Sequence, residues 1–192
     1  KRVIYSASSS AYGDQKELPL TESMIPMPKN PYAVQKYMGE MYCKLFSELY
    51  GLKTVCLRYF NVYGSRQPHD GPYATVIGIF LQQHAKGDPL TIVPDGMQTR
   101  DFTHVQDVVL ANIAAMKSSR VGNADVINIG GGENYSIVAV ADMINEKKVF
   151  IEPRLGEVQH TRADITKAKE LLDWTPRIFL KDGIDNLMST AL

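Results

Sequence analysis

The start of the chain alternates apolar runs with one long amphipathic stretch. Residues 2–8 predict a buried strand, and residues 54–59, which are rich in β-branched and apolar side chains, predict a second one. Between them, Asn30 as an N-cap, a proline at the first helical position and Gly51 as a C-terminal stop predict a helix over 31–50. A strand, a helix and a strand in this order predict a parallel pair, which is the repeating unit of an α/β sheet.

Shorter elements are predicted for the rest of the chain. The prolines of 13–29 and the polar composition of 64–72 predict loops. The remaining predicted elements are a helix over 73–86, strands over 90–93 and 100–104, a helix capped by Asp107 that runs to about Met116, a strand over 126–129, a helix from Ile137, a strand over 149–151, a short helix over 166–172 and a last helix from Leu180. The helix from Ile137 runs almost directly into the next strand, so either it is short or intervening residues are absent from the printed chain.

Composition and charge narrow the class of protein. The 192 residues are 44% hydrophobic, and Lys+Arg and Asp+Glu both total 21, so no basic excess marks a general nucleic-acid binder. The longest apolar runs fall far short of the ~20 residues that span a bilayer. The two cysteines, Cys43 and Cys56, have no metal-ligand spacing and suit apolar packing in a reducing compartment. These features predict a cytoplasmic protein without a metal, a membrane or a nucleic-acid partner.

Two stretches carry candidate chemistry. Ser8, Ser9 and Ser10 close the first strand, and Tyr32 and Lys36 lie four residues apart in the predicted helix. Positions i and i+4 share a helix face, so the Lys36 ammonium would lie beside the Tyr32 hydroxyl and stabilise its phenolate. Tyr32 could then exchange a proton with a substrate hydroxyl. The same spacing also occurs on solvated helix faces that carry one packed tyrosine, so the surrounding segments have to decide between the two interpretations.

Five segments give the chain a resemblance to the extended short-chain dehydrogenases/reductases, specifically the NAD-dependent nucleotide-sugar epimerase and dehydratase family. They are Ser-Ser-Ser-Ala-Tyr-Gly-Asp at 8–14, Pro-Tyr-Ala-Val-Gln-Lys at 31–36, Leu-Arg-Tyr-Phe-Asn-Val-Tyr-Gly at 57–64, Thr-Arg-Asp-Phe-Thr-His-Val at 99–105, and residues 154–157 leading to 163–165. They follow the family's order over nearly the whole chain. The resemblance covers only the later part of that family.

The resemblance implies an α/β fold built from the C-terminal part of a Rossmann-like doubly wound parallel sheet and a small mixed α/β substrate-binding lobe. Residues 1–64 would belong to the NAD-binding Rossmann domain. Residues 65–192 would form mainly the substrate-binding lobe, with the lid from residue 87 onward and with 100–129 partly returning to the Rossmann domain.

The glycine-rich turn that holds a dinucleotide pyrophosphate has no match in the chain. The dense glycine run, Gly130-Gly131-Gly132, is followed by Glu133 and reads as a strand-to-loop turn. The resemblance therefore implies that the first strands of the sheet precede this chain. It also implies that the chain alone would have little affinity for NAD and no activity.

The resemblance assigns the catalytic and cofactor-binding residues. Tyr32 would be the base, and Lys36 would also bind the nicotinamide ribose of NAD. Ser8 would hydrogen-bond the sugar hydroxyl that loses its proton, with Ser9 as the next candidate, although small hydroxyls also suit a strand end and turn. Phe60 would approach the nicotinamide, so that Ser8, Tyr32, Lys36 and Phe60 form the cofactor-binding set.

Four further positions would bind the substrate. Asn61 follows a strand at the edge where open parallel sheets bind ligands, and its amide suits a diphosphate or sugar oxygen; the alternative is a turn-forming asparagine. Arg100 and Arg154 are the diphosphate candidates, because a guanidinium donates two permanently charged hydrogen bonds to phosphate. Glu157 would accept from the nucleotide ribose, or else be a surface carboxylate.

The remaining substrate positions bear on the base and the sugar. Thr91 and Val93 would reach the uracil through backbone groups, and Thr75 takes the place of an asparagine that hexose epimerases often carry. Thr161 falls where epimerases restricted to plain hexoses carry a bulky tyrosine. A small residue there leaves room for an N-acetyl group and favours UDP-N-acetylglucosamine as a substrate, alongside UDP-glucose.

The implied reaction is NAD-dependent epimerisation at C4 of a UDP-sugar through a 4-keto intermediate. A 4,6-dehydratase of the same family usually has an Asp-Glu pair after the catalytic hydroxyl, where this chain has Ser9 and Ser10. A decarboxylase is less well excluded. A binding protein that has lost turnover is a further alternative, although Ser8, Tyr32 and Lys36 are all present.

A homodimer is also expected, through the Tyr32 helix and a neighbouring helix. The apolar side chains that would supply its surface are Met38, Met41, Tyr42, Leu45 and Leu49. The alternative is that all five pack on the protein's own sheet, and periodicity does not distinguish the two.

Overall fold

A computed structural model of the chain describes residues 1–71, 74–152 and 158–190. Its strands are β1 (Arg2–Ser8), β2 (Lys53–Tyr59), β3 (Val62–Tyr63), β4 (Leu90–Ile92), β5 (Thr99–Arg100), β6 (Thr103–His104), β7 (Asn123–Ile129), β8 (Tyr135–Ser136) and β9 (Lys148–Phe150). Its α-helices are α1 (Pro31–Tyr50), α2 (Val76–Lys86), α3 (Val105–Lys117), α4 (Ile137–Asp142), α5 (Thr166–Leu172) and α6 (Leu180–Thr190).

A parallel sheet in the order β1-β2-β7 forms the larger layer, with helices on both faces. In the central strand β2, Val55 and Leu57 pack towards α3 and α5, whereas Cys56 packs on the opposite face against Cys43 of α1. This alternation follows from the two-residue period of a strand. The predicted parallel pair, the α/β class and the apolar packing of both cysteines are confirmed.

The ends of α1 form as the sequence predicts. The Asn30 side chain accepts a hydrogen bond from Ala33 N at 2.9 Å, with Pro31 directly after the cap. Gly51 adopts a left-handed conformation with φ of 65°, and its N–H donates to Ser47 O at 3.0 Å. Local capping chemistry therefore fixes where α1 begins and ends, and so where Tyr32 lies relative to the sheet.

A second cluster of buried side chains lies outside the large sheet. It joins α2, α4 and α6 to β4, the strand that pairs with β9, and its members include Ile77, Phe80, Leu90, Val140 and Ile184. No helix in the three described ranges is long and apolar enough to cross a membrane.

Several predicted boundaries differ from those observed. The helix predicted to be capped by Asp107 is α3, which begins at Val105 with His104 as its N-cap, so that prediction is wrong. Asp107 is instead buried in the first turn, where its Oδ2 accepts from the backbone N–H groups of Arg177 and Ile178. The Asp107 side chain therefore binds a segment seventy residues further along the chain and does not cap its own helix.

The remaining differences concern short elements. The strand predicted over 100–104 is two separate strands, because β5 pairs with β8 and β6 pairs with β3. The helix α4 has six residues, and β9 begins at Lys148. The strand predicted over 126–129 begins earlier, at Asn123, where it pairs with β2.

Candidate active site

A cleft of about 500 Å³ lies at the carboxyl ends of β1 and β2, the edge where open α/β sheets bind ligands. The predicted site residues along it are Ser8, Ser9, Tyr32, Lys36, Asn61, Thr75, Arg100 and Thr161. An adjoining cavity of about 310 Å³ shares Asn61, Thr75 and Arg100 with the cleft and also contains Thr91 and Val93. The structure therefore brings ten predicted site residues to these two adjoining cavities.

Tyr32 and Lys36 lie on the first two turns of α1. Tyr32 is 41% exposed at the cleft. Lys36 Nζ lies 5.7 Å from the centroid of the Tyr32 ring and 5.8 Å from that of Tyr5, and it donates a hydrogen bond to Ser6 O at 3.0 Å. These contacts hold the ammonium beside the tyrosine, as the i, i+4 spacing predicts.

Ser8 ends β1 and serves as the N-cap of a short 3₁₀ helix over Ser9–Tyr12. Its Oγ accepts from Ser10 N at 3.2 Å and from Ser10 Oγ at 2.9 Å. Because both contacts use lone pairs of the Ser8 oxygen, the hydroxyl hydrogen of Ser8 can donate to a ligand. Ser10 therefore holds the Ser8 side chain in place.

Asn61 has features of both a turn-forming residue and a ligand-binding residue, the two alternatives that the sequence left open. Its backbone has a positive φ of 22°, and its side chain lines the cleft. The Asn61 Nδ2 donates to Asp101 O at 2.7 Å, which orients the amide and leaves its oxygen able to accept from a ligand.

Arg100 in β5 borders both cavities. Its Nη1 donates to Thr99 O at 3.0 Å and to Gln159 O at 3.2 Å. These bonds draw the segment around Gln159 against β5. The other predicted phosphate and ribose ligands, Arg154 and Glu157, lie outside the described residues.

Two glutamines that the sequence did not single out hold the predicted uracil contacts. Gln83 accepts from Thr91 N at 3.1 Å and donates to Thr91 Oγ1 at 2.9 Å. Gln98, which is 7% exposed, donates to Val93 O at 3.4 Å. The Thr91 N–H is thus already occupied, which leaves the Thr91 carbonyl and the Val93 N–H as the more available backbone groups.

Thr75 lies at the border of the cleft, at the start of α2. Thr75 is the N-cap of α2, where its hydroxyl accepts from Gly78 N and donates to Gln67.

The Phe60 side chain is fully buried beside Tyr12, with ring centroids 6.2 Å apart. Phe60 therefore packs in the core beneath the cleft. Among the predicted site residues that the structure describes, it is the one that does not line either cavity.

A buried ionic layer beneath α1 was also missed by the sequence analysis. Arg58 of β2 pairs with Glu40 of α1, and its guanidinium lies 4.5 Å from the centroid of the Tyr12 ring. The Tyr12 hydroxyl donates to Asn128 Oδ1 at 2.7 Å. Burial raises the pKa of Tyr12 to about 12, so the phenol stays neutral at physiological pH.

Asp101, next to Arg100, is a further residue whose role pattern alone did not reveal. It is fully buried, and its carboxylate accepts hydrogen bonds from the backbone N–H groups of Gly131, Gly132 and Ala163. Burial raises the pKa of this carboxyl to about 7, although the three amide donors act in the opposite direction. Its place in the Thr-Arg-Asp-Phe segment was the available signal.

Comparison with known proteins identifies the family. Residues 1–130 match the family described as "NAD dependent epimerase/dehydratase family", and the chain belongs to that family. This confirms the resemblance drawn from the five sequence segments.

Three similar proteins illustrate the range of activities in the family. The chain is 39% identical to a putative UDP-glucose 4-epimerase of Methanocaldococcus jannaschii, over 98% of the chain and 62% of that relative. It is 35% identical to a UDP-N-acetyl-alpha-D-glucosaminuronate decarboxylase of Bacillus cytotoxicus, over 96% of the chain and 61% of that relative. A solved UDP-N-acetylglucosamine 4-epimerase of Methanobrevibacter ruminantium, in complex with UDP-N-acetylmuramic acid, superimposes with a TM-score of 0.89 at 35% identity, covering 99% of the chain and 64% of its own length. The chain thus spans less than two thirds of each.

Proposed function

We propose that the full-length protein containing this chain is an NAD-dependent 4-epimerase of UDP-sugars. The observation that carries the proposal is the meeting of Ser8, Tyr32 and Lys36 in one cleft that continues to Arg100. A proton-transfer group at one end and a guanidinium at the other suit a substrate that has a hydroxyl and a diphosphate.

The donor set at the Lys36 end fits the nicotinamide ribose of NAD. An ammonium has three hydrogens, of which Ser6 O accepts one, so Lys36 can also donate to ribose hydroxyls. When bound, NAD supplies the hydride acceptor and donor at C4 of the sugar. Tyr32 takes the proton of the C4 hydroxyl and returns it after the 4-keto sugar has turned over, while Ser8 donates to the same oxygen and Lys36 stabilises the phenolate.

The opposite end of the cleft suits the nucleotide. Arg100 and the amide oxygen of Asn61 face the space where a diphosphate and sugar would lie, and α2 starts at Thr75 on its border. In this proposal the Thr91 carbonyl and the Val93 N–H bind the uracil. Arg154 and Glu157 keep their proposed parts as diphosphate and ribose ligands.

Substrate choice depends on Thr161. Thr161 lies along the cleft but is only 7% exposed, and its Oγ1 accepts from Asp101 N at 3.2 Å, so this small residue fills little of the cleft. We propose that the space this leaves admits the acetamido group of UDP-N-acetylglucosamine, with UDP-glucose as a second substrate.

The test uses the full-length protein, wild type and Tyr32→Phe, with UDP-N-acetylglucosamine and UDP-glucose in separate reactions followed by NMR. Tyr50→Phe removes a hydroxyl from the same helix at a position that is 73% exposed, and serves as the matched control. Formation of the C4 epimer by wild type and Tyr50→Phe, and its loss in Tyr32→Phe, is the expected result. Consumption of substrate without a C4 epimer favours a decarboxylase or dehydratase, and tight binding without turnover favours a binding protein.

We also propose that α1 forms a homodimer interface. Met38, Met41, Tyr42, Leu45 and Leu49 are between 43% and 68% exposed, so the described sheet leaves a large part of each of them uncovered. In this proposal the neighbouring helix is one other than α3, because α3 packs on the opposite face of that sheet from α1. Sedimentation velocity should show a dimer for wild type and for Glu48→Lys, and a monomer for Leu45→Lys; a Leu45→Lys dimer contradicts the proposal.

A further inference from the structure

Asp101 lies beneath the nucleotide end of the cleft. It directly follows Arg100 and contacts the segments that carry Asn61 and Thr161, whereas α2 and β4 border the same end without contacting it. Its backbone carbonyl accepts from Asn61 Nδ2, and its backbone N–H donates to Thr161 Oγ1. We propose that Asp101 is the positioning residue that sets Asn61, Arg100 and Thr161 in the arrangement that binds the UDP-sugar. This inference rests on the proposed function of the cleft.

Both oxygens of the Asp101 carboxylate accept hydrogen bonds from backbone N–H groups. Oδ1 accepts from Gly131 N at 2.6 Å, and Oδ2 accepts from Gly132 N at 3.0 Å and from Ala163 N at 2.9 Å. All three partners are N–H groups, which can only donate. An asparagine at this position would turn its own NH₂ against at least one of them.

Close packing around the carboxylate explains the first two glycines of the run Gly130-Gly131-Gly132. A Cβ added at Gly130 would lie 2.4 Å from the Cβ of Ala163, and one added at Gly131 would lie 2.7 Å from Phe102 O. The turn can therefore approach Asp101 only without side chains at these two positions. The glycine run thus acts as a cradle for Asp101, which pattern analysis interpreted only as a turn.

The same residue sets the width of the cleft. Thr161 N donates to Thr99 O at 3.1 Å, and Ala163 N donates to Asp101, so the segment carrying Thr161 is bonded to the chain on both sides of Arg100. Asn61 approaches from the other side through its bond to the Asp101 carbonyl. Because binding groups have to converge within a fraction of an ångström, a shift of Asp101 would displace all three ligand contacts together.

The test compares Asp101→Asn with Asp107→Asn in the full-length protein. Asp107 is also buried and also accepts from two backbone N–H groups, but it lies on α3, away from the cleft. Titration calorimetry with UDP, at about pH 8.5 so that Asp101 is ionised, should give a dissociation constant on the order of tenfold higher for Asp101→Asn. Asp107→Asn should match wild type. Equal constants in all three proteins, or equal weakening in both variants, would overturn the proposal.

A second variant decides the matter if Asp101→Asn does not fold. Thr161→Val keeps the shape of the side chain but removes the oxygen that accepts from Asp101 N. The UDP dissociation constant should then rise about threefold. An unchanged constant for this variant contradicts the proposal.

Crystal structures without ligand separate this inference from the proposed function. If wild type does not bind UDP, the proposed function fails, whereas a displaced Asn61 amide and Thr161 segment in Asp101→Asn still supports the positioning role. Unchanged positions of Asn61, Arg100 and Thr161 in that variant overturn the inference. For Thr161→Val, the same comparison of Asn61 and Arg100 applies.

Discussion

The guanidinium of Arg58 and the carboxylate of Glu40 form two parallel hydrogen bonds, Nε to Oε1 at 2.8 Å and Nη2 to Oε2 at 2.6 Å. The two side chains are only 3% and 4% exposed. Glu40 lies one turn beyond Lys36 and two turns beyond Tyr32, on the same face of α1. The ion pair therefore fixes the rotation of α1 on the sheet, and with it the direction in which Tyr32 and Lys36 face.

Replacing Glu40 by Gln should be strongly destabilising. The change leaves the Arg58 charge buried without its counterion, and breaking a buried pair in this way costs about 3–5 kcal/mol of the free energy of unfolding. Chemical denaturation of wild type and Glu40→Gln measures the loss. Glu48→Gln on the same helix breaks an exposed pair with Lys44 and should cost less than about 1 kcal/mol. Equal losses in the two variants would contradict the structural importance of the Arg58 pair.

The part of the fold that the sequence predicted is the part that local chemistry determines. The ends of α1 depend on Asn30 and Gly51, which act within one helical turn, and the strands β1 and β2 follow from short apolar runs. The meeting of Ser8 and Tyr32 could be anticipated because both follow from the strand-helix-strand order.

What pattern did not reveal depends on contacts between distant parts of the chain. Arg58 and Glu40 are 18 residues apart, and Asp101 and Ala163 are 62 residues apart. Taken alone, Glu40 looks like an ordinary charge in an amphipathic helix, and Asp107 looks like an N-cap. Only the packed structure distinguishes a buried, bonded carboxylate from a solvated one.

Lys36→Met should slow turnover without weakening nucleotide binding. Removing the ammonium beside Tyr32 leaves the phenolate unstabilised, and the loss of assisted proton transfer lowers kcat by a factor of about 10²–10⁴. The UDP dissociation constant should stay within about twofold of wild type, because the nucleotide end of the cleft lies at Arg100. The same kinetic and binding measurements on Lys44→Met, an exposed lysine of α1, provide the control. A rate near wild type for Lys36→Met would mean that Lys36 does not assist proton transfer by Tyr32.

Thr161→Tyr should change the choice of substrate. The ring would fill part of the cleft that the threonine leaves open and would remove the oxygen that accepts from Asp101 N. We expect kcat/KM for UDP-N-acetylglucosamine to fall by about 100-fold relative to that for UDP-glucose, since a clash costs more than a lost contact. Thr161→Ser keeps the hydroxyl and should preserve the wild-type ratio. An unchanged ratio in Thr161→Tyr would show that the acetamido group lies elsewhere.

The stability of the protein should fall in alkaline solution through Tyr12. Burial raises the pKa of this phenol from 10.0 to about 12, so between these values the folded state keeps a proton that the unfolded state loses. The contribution is therefore complete below about pH 10 and is lost as the pH rises through about 12, a change of about 3 kcal/mol. Tyr12→Phe has no such proton. The difference in unfolding free energy between wild type and Tyr12→Phe should thus be constant up to about pH 9.5 and then decrease. A difference that stays level to about pH 11.5 would mean that the Tyr12 hydroxyl, despite its bond to Asn128, titrates as it does in the unfolded chain.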